Sequence, residues 1–324
     1  MPPARRTDAV LLLVAIVWGS SYLAAKSATS AHPVLIVLFA RYAISVLACL
    51  ALVAARPRPR PGSRHRPWRL NRNEARAGTL LGLTQAAVLV LETYGVAHTS
   101  AANAGLIISL TVVLTPLLDR SAPGGRLPPR FFAAAGVCVL AVGLLMGTTG
   151  LQAPRSGDLL MLAAAVVRAA HVALVGRLSA GRDLRPLQLT TCQTAIGTAL
   201  FLPYACASGG LADLAHAPVG DWLQLVHLAL FCSVFAFLAQ TWAVQRTSAS
   251  RASLLLGTEP VWAVTIGMVV GGERLGVLTA TGAALMVAGT YWGQSIERSH
   301  RTDPKEVAPC PTSPPPPATT PTSV

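Results

Sequence analysis

A chain of 324 residues with 52% hydrophobic and only 12% charged residues is a poor candidate for a soluble domain, where about a quarter of residues carry charge. Its mean hydropathy of +0.53 points to a protein solvated by lipid. A net charge of +13 would suit a nucleic-acid binder, but most of the arginines stand in short gaps between apolar runs. That is the distribution of cytoplasmic loops in membrane proteins, and no nucleic acid is called for.

A spanning helix needs about 20 mostly apolar residues. Ten stretches qualify: 8–28, 33–55, 77–97, 101–119, 130–149, 158–179, 187–208, 221–243, 248–270 and 277–296. The lipid interior offers no water to satisfy an open backbone, so spans must be helices or a closed barrel, and the length and apolarity of these stretches favour helices over strands. The first stretch follows Arg5-Arg6 and could pass for a signal peptide with a cleavage site in Ala25-Lys26-Ser27-Ala28. Its apolar run continues through Trp18 to Ala25, and removing it would leave the sixth stretch without a counterpart, so we read it as a span. The segment 56–76 carries eight arginines and reads as a topology-setting cytoplasmic loop. Placing it inside puts 21 of the 26 Lys and Arg residues at the cytoplasmic face, with both termini there. The tail, 297–324, is rich in Pro, Thr and Ser and reads as a disordered cytoplasmic end. The six cysteines (49, 138, 192, 206, 232 and 310) have no metal-binding spacing and read as small apolar side chains.

The chain repeats itself. Trp242 to Pro260 aligns with Tyr94 to Val112 at an offset of 148, with six of nineteen positions identical. At the same offset Arg126-Leu127 aligns with Arg274-Leu275, and Glu92 with Gln240. Two similar halves, 1–149 and 150–296, with five spans each would enter the membrane in opposite senses, the inverted-repeat plan of many secondary transporters. The expected fold is an all-α membrane protein of ten transmembrane helices in two inverted five-helix repeats.

Several short motifs recur in order across both halves. The first half has Trp18-Gly19-Ser20-Ser21-Tyr22 with Lys26, Pro33, Ala40-Arg41-Tyr42 and Thr99-Ser100-Ala101-Ala102. The second has Thr247-Ser248-Ala249, Leu256 with Glu259-Pro260-Val261, and Gly272-Glu273-Arg274-Leu275, followed by Gly282 and Gly289. In this order and spacing the chain resembles the EamA-type members of the drug/metabolite transporter superfamily over residues 8–296. It departs from them at Gly125-Arg126-Leu127, where Glu-Arg-Leu is usual, and at Arg168 and His171, in a span that is usually apolar or aromatic. The resemblance implies a multi-pass inner-membrane permease exporting amino acids, related metabolites or drugs, with the proton as coupling ion.

Polar residues within spans are expensive to insert, roughly 3 kcal/mol each, and so mark candidate sites. At about 1.5 Å rise per residue, Arg41 lies about 12 Å and Glu92 about 8 Å below the outer surface, so these two are expected to face the interior and to pair. Arg168 and Glu259 both fall near the midplane, about 15 Å and 14 Å deep by the same rise, and form the second expected pair. Burial and a neighbouring guanidinium push a carboxyl group's protonation in opposite directions. This suggests that Glu259 releases a proton to one side as Arg168 engages a substrate carboxylate. Pro260 lacks an N–H and clashes with the carbonyl of Leu256, so a break or kink is expected beside Gly257 and Thr258. Trp18, mid-span, is a candidate cavity wall for an aromatic or cationic substrate, whereas Tyr94 and Trp242 read as interfacial aromatics. Gln240, Thr190, Thr191, Gln193, Ser20, Ser21 and Tyr22 offer neutral hydrogen bonds. His171, one turn from Arg168, could relay protons but reads better as a buried, hydrogen-bonded histidine.

The candidate substrate-binding or coupling residues are therefore Trp18, Arg41, Glu92, Arg168, His171, Gln240 and Glu259. No catalytic constellation, metal cluster or cofactor motif is apparent, and no enzyme activity is expected. The partners called for are a small-molecule substrate, the lipid bilayer and protons, with a homodimer as the candidate assembly. The leading function is secondary export of amino acids or related metabolites by alternating access. A multidrug permease, a membrane-embedded transferase and a non-transporting scaffold are the alternatives.

Overall fold

The computed structural model describes residues 3–56, 70–99, 104, 107–119, 127–147, 156–180, 182, 184–262, 265–266 and 277–302. Every regular element among them is helical. The arginine-rich 57–69 segment, the Gly125-Arg126 and Gly272-Glu273-Arg274-Leu275 motifs, and residues from 303 onward lie outside the described residues.

In chain order the helices are α1 (Pro3–Ala31), α2 (Val34–Ala54), α3 (Arg72–His98), α4 (Thr111–Leu118), α5 (Pro129–Gly147), α6 (Ser156–Ser179) and α7 (Pro186–Ala207). A short helix, Gly210–Ala215, leads to α8 (Val219–Val244), α9 (Ala249–Leu256) and α10 (Val277–Thr302). Five of them, α1, α2, α3, α6 and α8, are long and apolar enough to cross a membrane.

The ends follow local chemistry. α3 begins five residues before the expected 77 because Asn71 and Glu74 cap it: the Asn71 N–H donates to the Glu74 carboxylate at 3.0 Å, satisfying a donor the helix cannot. Pro186 opens α7, where its missing N–H costs nothing. α9 stops at Leu256, Gly257 and Thr258 form a turn, and helical geometry resumes at Glu259, so the break expected before Pro260 is present. α10 continues past the expected end at 296 and carries Glu297 with it, 1% exposed.

α2 packs on α7, α4 on α9 and α5 on α10; α1 lies against α8 and α9, and α6 against α3 and α4; α3 also meets α7, and α2 meets α8. Large apolar side chains such as Leu47, Leu140, Leu159 and Tyr291 point outward and are mostly exposed, while Arg41, Arg168, Glu259 and Gln240 are buried. Apolar outside and charged inside is the arrangement a lipid solvent selects.

The α2–α7 seam shows how closely the helices approach. A Cβ on Gly197 would stand 2.4 Å from two ring carbons of Tyr42, whose ring is fully buried and packed against Phe201 with centroids 5.7 Å apart. Gly197→Ala is therefore expected to destabilise the fold by about 1–3 kcal/mol through overpacking. Gly136→Ala on α5, where a new Cβ meets nothing within 4 Å, should gain up to about 1 kcal/mol from helix propensity alone. Thermal unfolding of the two purified variants should move in opposite directions.

Candidate functional site

The site is assembled from helix faces. On α1, Trp18, Ser21 and Tyr22 follow i, i+3, i+4 spacing; on α3, Gln85, Val88, Leu89 and Glu92 follow i, i+3, i+4, i+7. Each set therefore lies along one side of its helix. α6 contributes Arg168 and His171 one turn apart, α8 contributes Phe237 and Gln240, and α2 contributes Arg41. Glu259 stands at the restart of helical structure after the Gly257–Thr258 turn. Together these side chains line one cavity of about 30 Å³, so all seven residues singled out in the sequence come together. Three helices of the first half and three segments of the second form the walls.

Arg168 is the hub. Its Nη1 donates to Glu92 Oε1 at 3.1 Å and its Nη2 to Glu259 Oε2 at 2.8 Å, while its guanidinium lies 4.4 Å from the centre of the Trp18 ring. The expected Arg168–Glu259 pair is thus present. The expected Arg41–Glu92 pair is not: α3 packs directly on α6, which gives Glu92 to Arg168. Arg41 meets α8 instead, where Nε donates to Ser233 Oγ at 2.6 Å and Nη2 to the Cys232 carbonyl at 3.2 Å. That carbonyl also accepts from Trp18 Nε1 at 3.0 Å.

Leu230–Phe235 of α8 is π-helical, an irregularity found disproportionately at functional sites. His171 is buried and its Nδ1 lies 2.8 Å from the Thr84 hydroxyl, the structural role that its sequence context favoured. Trp242 lies under the Arg246 guanidinium and Tyr94 stacks on His98; neither lines the cavity.

Sequence reasoning passed over Gln85, Phe237 and Ser233. Gln85 was recoverable, since it stands seven residues before Glu92 on the same helix face. Ser233 carried no comparable signal, because a lone hydroxyl in an apolar run reads as a small packing residue.

A second polar cluster joins three helix ends. Arg251 donates bidentately to Asp8 at 2.9 and 2.6 Å and lies 3.6 Å from Glu297. Ser248 donates to Glu297 at 2.8 Å and caps α9 by accepting the Arg251 N–H at 3.0 Å. Sequence position made Arg251 a charge at the cytoplasmic edge of the 248–270 span and Glu297 the start of a tail; both are buried. Among the described residues, no group of three or more His, Cys, Asp or Glu side chains is placed to hold a metal ion.

The chemistry available is reversible ion pairing in a confined space. One water molecule needs about 10–15 Å³ of such space, and drug-sized ligands need pockets of about 300–1,000 Å³. At its present volume the cavity admits little more than water. A larger solute would fit only with the cavity walls displaced.

Known proteins resemble the chain in fold and in sequence. A solved crystal structure matches the fold with a TM-score of 0.67 at 19% identity, covering 91% of this chain and 98% of its own. "Uncharacterized transporter YyaM" of Bacillus subtilis (strain 168) is 26% identical over 65% of this chain and 70% of its own length. An uncharacterized transporter of Archaeoglobus fulgidus is 26% identical over 86% and 83%. A protein of Streptantibioticus cattleyicolor named "Probable terminal-alkyne amino-acid exporter" is 26% identical over 86% and 90%. The profile of the EamA-like transporter family matches twice, at residues 5–147 and 155–292. With nearly the whole helical region matched, the chain belongs to the EamA-like transporter family and is a multi-pass membrane protein.

Proposed function

We propose that the chain is a secondary transporter that exports amino acids or closely related metabolites by alternating access, with the proton as coupling ion. The observation that carries this reading is the cavity itself. Walls drawn from both halves enclose one guanidinium shared by two carboxylates, Glu92 and Glu259, in a protein whose outer surface is apolar. A proton or a substrate ammonium that takes one carboxylate frees Arg168 to move with the other, which couples charge to helix position.

The architecture we propose is ten spans in two inverted five-helix repeats, 1–149 and 150–296. Two features support it. The family profile matches once in each half. Exchanging α1 with α6, α2 with α7 and so on to α5 with α10 maps the helix pairs described above onto themselves. The arginine distribution favours the cell membrane with both termini in the cytoplasm. Amino acids are preferred over lipophilic drugs because the cavity holds four charged side chains, which suit a small charged solute better than a greasy one. The exporter name of the Streptantibioticus relative points the same way.

The test is flux in proteoliposomes with a panel of amino acids and an imposed pH gradient. Glu259→Gln is expected to abolish gradient-driven accumulation and its pH dependence, and to weaken but not abolish solute exchange at equal pH, since Glu92 remains beside Arg168. Wild-type protein that moves none of the panel, or a Glu259→Gln variant with unaltered pH dependence, would overturn the reading.

A further inference from the structure

We propose that Arg41 is the receptor for a carboxylate group of the transported solute, held in place by the π-helical segment of α8. The inference rests on the reading of the chain as a transporter of small solutes and assigns the recognition chemistry within that cavity.

Arg41 is 6% exposed and lines the cavity. Among the described residues no carboxylate stands within ion-pair distance of it. The two cavity carboxylates, Glu92 and Glu259, are committed to Arg168. A guanidinium has five N–H donors, and the bonds Arg41 makes are to neutral acceptors, the Ser233 hydroxyl and the Cys232 carbonyl. A buried cation with no anion in contact is costly to keep in a membrane protein. An anion that arrives with the solute would supply that contact, and a carboxylate matches the guanidinium fork bidentately.

The backbone of α8 is shaped for this guanidinium. In the π-helical turn Ser233 Oγ donates to Leu228 O, five residues back, at 3.0 Å. Its proton is thereby directed away and its lone pair is left for Arg41 Nε. The Cys232 carbonyl holds Arg41 and Trp18 together, so the cation and the aromatic wall are fixed by one group. The role that the sequence suggested for Arg168 thus passes to Arg41, while Arg168 and its two acids serve the cationic end of the solute. Two guanidinium and two carboxylate groups make the fully ionised cavity neutral, which suits a zwitterion better than a phosphate or a simple amine.

The experiment uses full-length protein in proteoliposomes. The best-transported L-amino acid from the panel is competed against its own decarboxylated amine and its own carboxamide. In wild type the amine and amide should compete about 10- to 100-fold more weakly than the acid, the range set by one charge-assisted hydrogen-bonded contact. In Arg41→Gln that advantage should vanish, and Arg41→Lys should restore part of it. Ser233→Ala keeps the charge but loosens its support, and should reduce the advantage while leaving competition by the amine unchanged. Arg41→Gln that retains the wild-type preference overturns the proposal. If that variant fails to fold, an unaltered preference in Ser233→Ala overturns it instead. Wild-type flux of amines with no preference for carboxylates refutes the role of Arg41 and leaves the transport reading standing. Absence of flux for every solute removes the transport reading and this inference with it.

Discussion

Arg168→Gln should destabilise the protein by about 3–5 kcal/mol, the usual cost of stranding a buried charge, and by more than the loss of either of its partners. The asymmetry follows from the geometry. Glu92→Gln or Glu259→Gln leaves Arg168 with one carboxylate, at 2.8 or 3.1 Å. Arg168→Gln leaves two carboxylates facing one narrow cavity, with side chains only 17% and 5% exposed and Arg41 engaged on α8. It also removes the cation over Trp18, a contact of about 0.5–2 kcal/mol. The double variant Arg168→Gln/Glu259→Gln removes one stranded acid, so it should be more stable than Arg168→Gln alone, with a coupling of about 0.5–3 kcal/mol. Thermal unfolding of the detergent-purified set measures this. Equal losses for Arg168→Gln and Glu92→Gln would mean that the acids are satisfied by water and that the triad is not a closed unit.

The same triad shows how far the sequence could be read. Depth in the membrane follows from position along a helix, so charged residues at similar depth could be recognised as cavity candidates, and all seven line one space. Partner choice depends on rotation about the helix axis and on which helices touch. That is why Arg168–Glu259 was foreseen, whereas Glu92 was assigned to Arg41 instead of Arg168. The support of Arg41 was hidden for another reason: a π-helical turn changes the hydrogen-bond ladder without leaving any mark on composition, so Leu230–Phe235 reads as ordinary apolar helix. Glu297 was misplaced because the apolar run ends before it. The helix persists to Thr302, where buried polar contacts to Arg251 and Ser248 replace apolar burial as the reason for order.

Those contacts set the last expectation. Arg251 ties α1, through Asp8, to α9 and α10, and so joins the two halves at one end of the bundle. Asp158, in the first turn of α6, stands ten residues before Arg168 as Asp8 stands ten before Trp18, and accepts from the Thr99 hydroxyl just beyond α3. Both helix-end contacts are made in this structure; under the alternating access proposed above, each has to open in its turn. Arg251→Gln takes from Asp8 and Glu297 the cation they share at this end, a loss that is felt while the α1–α9–α10 end is packed and is relieved when opening lets water solvate both acids. The cost, about 1.5–3 kcal/mol for a lost hydrogen bond to a charged group, therefore falls on one state and moves the population toward the other. A cysteine introduced as Ser21→Cys, in a background lacking the native cysteines, should react with a membrane-impermeant maleimide from the Asp8 side at least about tenfold faster when Arg251→Gln is added, the factor that 1.4 kcal/mol supplies. An unchanged rate would show that closure at this end does not depend on the network. Slower labelling would show that the network holds the mouth open, because in that case its loss would favour the closed state.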